Sequence, residues 1–250
     1  MKKMYEIFVA FAVIWSFAAN AADTGPVREF YACNFQDGKG IDDLMAIRDV
    51  IAEQIEKANN ADLSNQVSLL WTPVKTNGQL DFLWFDMHEN LNAMGRAASA
   101  FESSGGAAAV DALAAETVQC AAGIVTHEVI YQGDEPVGGT GGVLVESYRC
   151  ELHPGKTVAD AREAVDYWRG VIDDLDGYDS FAAYMQTPVV SQSSADLYYF
   201  VVHADIAEYA ARTSAYRASK DGMEADSRFD AVHRCDSALW NGEVVVGSFD

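Results

Sequence analysis

The sequence is short of basic residues: 17 Lys and Arg stand against 38 Asp and Glu in 250 positions, a formal charge of −21 at pH 7. Nucleic acid and anionic lipid are held by clustered Lys and Arg, so this balance argues against both as partners. The acids are scattered along the chain and read as solvated surface rather than as a cation-binding tract. There are only 4 cysteines, no C-x-x-C, and no histidine at ligand spacing beside each thiol, so neither a redox motif nor a metal is expected. G-x-S-x-G is missing, and no Ser-His-Asp arrangement is readable from spacing. Long apolar runs are missing too. The opening MKKMYEIFVAFAVIWSFAANA has a basic start at Lys2 and Lys3, an apolar stretch from Ile7 to Ala18, and small residues at Ala19 and Ala21. That pattern predicts a signal peptide over residues 1–21, a mature start at Ala22, and a soluble product in the periplasm or beyond.

One stretch, ELHPGKTVADA from Glu151 to Ala161, invites a nucleotide-binding reading. A phosphate loop needs a glycine at position 150, where Cys150 stands. The turn also recurs as NFQDGKGIDDL from Asn34, with Gly38-Lys39 and Gly155-Lys156 117 residues apart. A turn repeated with its context marks a duplication. Thr157 is then a helix N-cap, and Asp160 completes a capping box.

At the same offset of 117, Tyr31, Cys33, Asp43 and Ile55 fall on Tyr148, Cys150, Asp160 and Ile172. After a two-residue change in length, Thr72-Pro73-Val74 meets Thr187-Pro188-Val189, His88 meets His203, and Cys120 meets Cys235. Each copy reads strand, helix, strand, strand, helix, strand. EFYACNF alternates. Val158, Ala161, Val165, Trp168, Ile172 and Leu175 form one helical face, and QVSLLWTPV with LDFLWFDMH predicts a hairpin. The expected class is α+β, two tandem βαββαβ ferredoxin-like units over residues 22–131 and 143–250 joined by a glycine-rich linker at 132–142.

The repeated Y-x-C-x-[FL]-x-x-GK and TPV signatures, the unit length and the duplication resemble the dimeric α/β-barrel superfamily of antibiotic-biosynthesis-type monooxygenases and exported bacterial relatives. The resemblance covers nearly all of the mature chain and rests on no catalytic motif. It implies that two units pair sheet to sheet around a cavity within one chain. Chlorite dismutases also use tandem ferredoxin-like units with an axial histidine. No residue motif of theirs occurs here, so no haem and no other cofactor is expected.

In a βαββαβ sheet the first and fourth strands are antiparallel neighbours, which favours the pairs Cys33–Cys120 and Cys150–Cys235 among the three possible pairings. Alternation on the third strand puts Trp84, Asp86 and His88 on one face, and Tyr199 and His203 on the equivalent face of the second copy. That face is the more polar, and it is expected to line the barrel beside Asn34, Arg149 and Glu151. His88 and His203 either cap the helix that follows or face a ligand as acid–base groups. Three functions remain open: a module binding a small organic molecule in the barrel, a cofactor-independent monooxygenase-like enzyme, and a structural or interaction protein with a packed barrel.

Overall fold

A computed structural model describes residues 25–78, 80–135, 137, 142–191 and 193–248. The expected signal peptide and much of the expected linker lie outside these residues.

The first half runs β1 (Val27–Phe35), α1 (Ile41–Ala58), α2 (Ala61–Ser64), β2 (Val67–Lys75), β3 (Phe82–His88), α3 (Leu91–Ser103), α4 (Gly106–Thr117), β4 (Val118–Thr126) and β5 (Glu128–Gln132). The second runs β6 (Val143–Leu152), α5 (Val158–Asp173), β7 (Ala182–Gln186), β8 (Pro188–Val190), β9 (Leu197–His203), α6 (Ile206–Ala218), α7 (Lys220–Asp230) and β10 (His233–Val246). The Gly-Lys turns start helices, as the repeat predicts. Gly38 and Gly155 take φ of 78° and 82°, a region open to glycine at little cost. Asp43 accepts from the Gly40 N–H at 3.1 Å, and Thr157 and Asp160 form the capping box. The lysines reach the same aspartates, Lys39 to Asp43 at 3.1 Å and Lys156 to Asp160 at 4.0 Å.

The ten strands form one antiparallel sheet in the order β5-β7-β9-β6-β10-β2-β3-β1-β4-β8. Within each half the first strand lies between the third and the last, and β2 pairs with β3 as the hairpin predicts. The halves are joined twice. β10 pairs with β2, and β4–β5 runs along β7–β8. Because β4 continues into β5 and β7 into β8, the two ends of the strand order meet and the sheet closes. A closed sheet leaves no long unpaired edge. Cys33 faces Cys120 and Cys150 faces Cys235 in register, and both pairs are bonded.

The inside of the barrel is aromatic. Trp71 lies 4.4 Å from Phe85 and 4.9 Å from Phe200, ring centre to ring centre, within one cluster that also holds Leu69, Val145 and Trp240. Both halves contribute to this core, and burying each large ring contributes about 1.5–3 kcal/mol. The helices cover the outside of the sheet. Leu44 of α1 packs on Cys33, Phe82 and Trp84, and Val165, Trp168 and Ile172 of α5 pack on Leu197 and Tyr199.

The expected assignment of faces is therefore reversed. Trp84 and Tyr199 lie in the clusters under the helices, and Asp86, His88 and His203 share their faces by strand alternation. Leu83, Phe85, Met87, Tyr198, Phe200 and Val202 belong to the barrel core instead. The reason is packing. Closing the sheet needs large apolar side chains inside, whereas Asp86 under the helices finds partners in Ser68 and Trp84.

Candidate functional site

A cavity of about 360 Å³ lies between the outer face of the second half of the sheet and α5, α6 and α7. Trp168, Tyr178, Phe181, Tyr199, Tyr216 and Phe229 provide its aromatic walls. Glu146 and Tyr148 of β6, Val201 and His203 of β9, and His233 and Cys235 of β10 form the strand-side floor. Each pair is spaced by two on its strand, so both members point the same way.

His203 is 3% exposed, and neither of its ring nitrogens has a hydrogen-bond partner among the described residues. Phe181 and Tyr209 meet its ring edge to face at 5.5 and 5.3 Å. Burial, and then the charge of Arg212, lower its pKa to about 4, so it is neutral at physiological pH. Arg212 is 5% exposed and rigidly held. Its Nε donates to the Gly177 carbonyl at 2.7 Å, its Nη2 donates to Ser180 at 2.9 Å and pairs with Glu208 at 2.9 Å, and its guanidinium lies over Tyr178 and Phe181. Its Nη1 has no hydrogen-bond partner among the described residues. Burial raises the Glu146 carboxyl and the Tyr148 hydroxyl, and Tyr209 donates to Glu146 at 3.5 Å. His233 meets the Tyr199 hydroxyl through Nε2 at 3.1 Å and the Cys235 sulfur through Nδ1 at 3.2 Å.

In the first half the corresponding floor is occupied by groups that satisfy each other. Asp86 accepts from Ser68 at 2.6 Å and from Trp84 Nε1 at 3.0 Å, and Glu29 stands across from it. Burial and the charge of Asp86 push Glu29 up to about 7, and burial raises Asp86 and lowers His88.

The candidate residues thus fall into three places. Tyr199 and His203 line the cavity. Trp84, Asp86 and His88 lie under the helices of the first half. Asn34 is exposed, while Arg149 and Glu151 are tied to Ser193, Ser194 and Arg234. These last three do not line the cavity. Neither histidine caps a helix: the caps are Asn90 for α3 and Asp205 for α6. Sequence reading missed Glu146, Arg212 and His233. The first had a signal, since E-x-Y-x-C recurs as Glu29-Phe30-Tyr31-Ala32-Cys33 and Glu146-Ser147-Tyr148-Arg149-Cys150. His233 had one too, two residues before Cys235, so the expectation of no histidine beside a thiol is corrected there. Arg212 had none.

A second polar group was also unforeseen. Arg28, 4% exposed, meets His127 Nε2 at 3.2 Å, and His127 Nδ1 meets Gln186 at 3.2 Å. Arg28 can only donate, so His127 Nε2 accepts and Nδ1 carries the proton; the Gln186 amide, placed with its Nε2 at this contact, accepts once it is turned to present its oxygen. Arg28 also lies over the Phe85 and Tyr184 rings, so this chain tethers the closing seam from inside the barrel.

No family model matches the chain, and no curated protein matches it. It is similar in structure to a putative monooxygenase from Fusobacterium nucleatum subsp. nucleatum, with a TM-score of 0.59, 10% identity, and coverage of 88% of this chain and 93% of that one. It is also similar to an anthrone oxidase-like protein, at 0.55, 10%, 91% and 98%, and to a putative chlorite dismutase, at 0.54, 11%, 89% and 96%. These likenesses establish the fold, which is that of the dimeric α/β barrels. His203 offers the free nitrogen that an axial iron ligand needs. His203 is enclosed edge to face by Phe181 and Tyr209 and has no open face for a tetrapyrrole, so the residues as placed do not fit one.

Proposed function

We propose that the chain binds a small aromatic molecule bearing an oxygen acceptor, such as a phenol or an aryl carboxylate. The site is the helix-covered cavity of the second half rather than the barrel interior. One observation carries the reading. Two buried donors line the same cavity, His203 through a ring nitrogen and Arg212 through Nη1, and neither atom has a partner among the described residues. Leaving such groups unpaired costs about 1–3 kcal/mol each, which a ligand oxygen recovers. The aromatic walls suit a flat ring, and the volume is at the lower end of the range for small-molecule sites. The test is titration with hydroxybenzoates and naphthols, followed by tryptophan fluorescence. His203→Leu and Arg212→Lys are each expected to weaken binding about tenfold. Binding indifferent to both variants, or no binding at all, overturns the proposal.

A second reading is a monooxygenase-like enzyme that needs no cofactor. Its support is the place of His203 in the cavity wall, where a ring nitrogen without a partner among the described residues can hydrogen-bond the hydroxyl of a bound phenol. Oxygen uptake with the phenols that bind tests it, and no uptake with any of them rejects it. The third alternative, a packed barrel without a ligand, agrees with the aromatic interior but leaves the two unpaired donors unexplained.

We further infer export. Residues 1–21 act as a signal peptide, and the mature chain comprises units at 22–131 and 143–250 joined by 132–142. Two disulfides support an oxidising destination, periplasmic or extracellular. No helix among the described residues is long and apolar enough to cross a membrane. N-terminal sequencing of protein recovered from the periplasm or medium tests this, with Ala22 as the expected first residue.

A further inference from the structure

We propose that the Cys150–Cys235 bond is a redox-gated metal site: once reduced, its two sulfurs and His233 Nδ1 hold a divalent cation of the zinc type. The placement of the donors carries this. His233 and Cys235 are spaced by two on β10 and so point the same way, and Cys150 stands opposite Cys235 on β6. The two sulfurs and one imidazole nitrogen all lie within 4.8 Å of one another. Around a tetrahedral zinc, with Zn–S near 2.3 Å and Zn–N near 2.0–2.1 Å, donors stand about 3.6–3.8 Å apart. Small side-chain movements therefore convert the bonded pair into a ligand set.

The surroundings fit a metal as well. A ligating histidine is normally oriented through its other nitrogen, and His233 Nε2 already meets the Tyr199 hydroxyl at 3.1 Å. Both His233 and Cys235 line the cavity, so the fourth coordination position opens on the space where a small molecule or water can enter. Two cysteines and one histidine with an open position form the donor set of a catalytic rather than a structural zinc. The first half provides a control within the same chain. Cys33 and Cys120 pair in the same register, but Val118 occupies the position equivalent to His233.

The chemistry balances in two steps. A two-electron reductant of the dithiol or phosphine class breaks the S–S bond, and each sulfur gains a proton. The cation then binds with release of those two protons, giving two thiolates and a neutral imidazole as ligands.

The experiment is cobalt(II) titration of the full chain, untreated or reduced anaerobically with a phosphine, which does not compete for the metal as a dithiol does. The reduced protein is expected to bind one equivalent with thiolate-to-cobalt absorption and tetrahedral d–d bands, and the untreated protein none. His233→Ala, with His233→Gln as a second variant that keeps a polar side chain, is expected to weaken binding more than tenfold. Tyr199→Phe is expected to weaken it about tenfold. Val118→His is expected to add a second equivalent in the first half. Reduced, folded protein without the thiolate band overturns the proposal, as does a band unchanged in both His233 variants. Loss of the near-ultraviolet circular dichroism on reduction also overturns it, because no folded dithiol then exists.

Discussion

Glu29 on β1 stands directly across from Asp86 on β3, whereas its repeat partner Glu146 on β6 stands across from Val201 on β9. That one difference separates the halves chemically. In the first, Asp86, Ser68 and Trp84 close into a network; in the second, apolar Val201 leaves the floor of a cavity open.

The carboxyl pair makes the first half sensitive to pH. Glu29 is pushed up to about 7, so the folded chain keeps a proton that the unfolded chain releases near 4.5. The folded state binds more protons between those values, and stability falls as pH rises through that window. The loss is about 2 kcal/mol, allowing for partial access of water to the carboxyl. Glu29→Gln is expected to gain most of this at pH 8 and little at pH 4.5. Urea unfolding at the two pH values checks it, and a variant less stable than the parent at pH 8 contradicts it.

His203 acts in the opposite direction. Its pKa is about 4 when folded against an ordinary 6.5, so the unfolded chain takes the proton first as pH falls. The stability it contributes is complete above about pH 6.5 and is lost toward pH 4, by about 3 kcal/mol. His203→Leu should reduce the steepness of acid unfolding by about one proton. It will not abolish it, because buried His127, lowered to about 2, titrates with the same sign. An unchanged acid transition would show that His203 does not titrate as its burial requires.

Since the barrel core draws on both halves, Phe85→Ala should cost about 3–5 kcal/mol and lower a single calorimetric transition. Two transitions, only one of them shifted, would mean that the halves fold independently.

Each disulfide closes a loop of comparable length, with sequence separations of 87 and 85. Replacing both cysteines of either pair by serine should cost about 4–5 kcal/mol on the chain-entropy model. Thermal unfolding checks the near equality. A loss confined to one pair would point to structure retained in the unfolded chain around the other.

Much of this molecule was legible in its residues. The offset of 117, the Gly-Lys turns and the alternating strands determined two βαββαβ units, the cap at Thr157 and the partners of all four cysteines, because these depend on contacts near in sequence or on strand order. Alternation also determined which side chains share a face: Tyr199 with His203, and Tyr198 with Phe200. It could not determine which face turns inward, since a period of two is the same from either side of a sheet. Tertiary structure decided that. Joining β2 to β10 and β4–β5 to β7–β8 turned the bulky aromatic faces inward and left the polar faces to the helices. The packing of α6 against the second half of the sheet brought Arg212 to the cavity of His203, onto Gly177, Ser180 and Glu208, and the periodicity of the helix carries no sign of it.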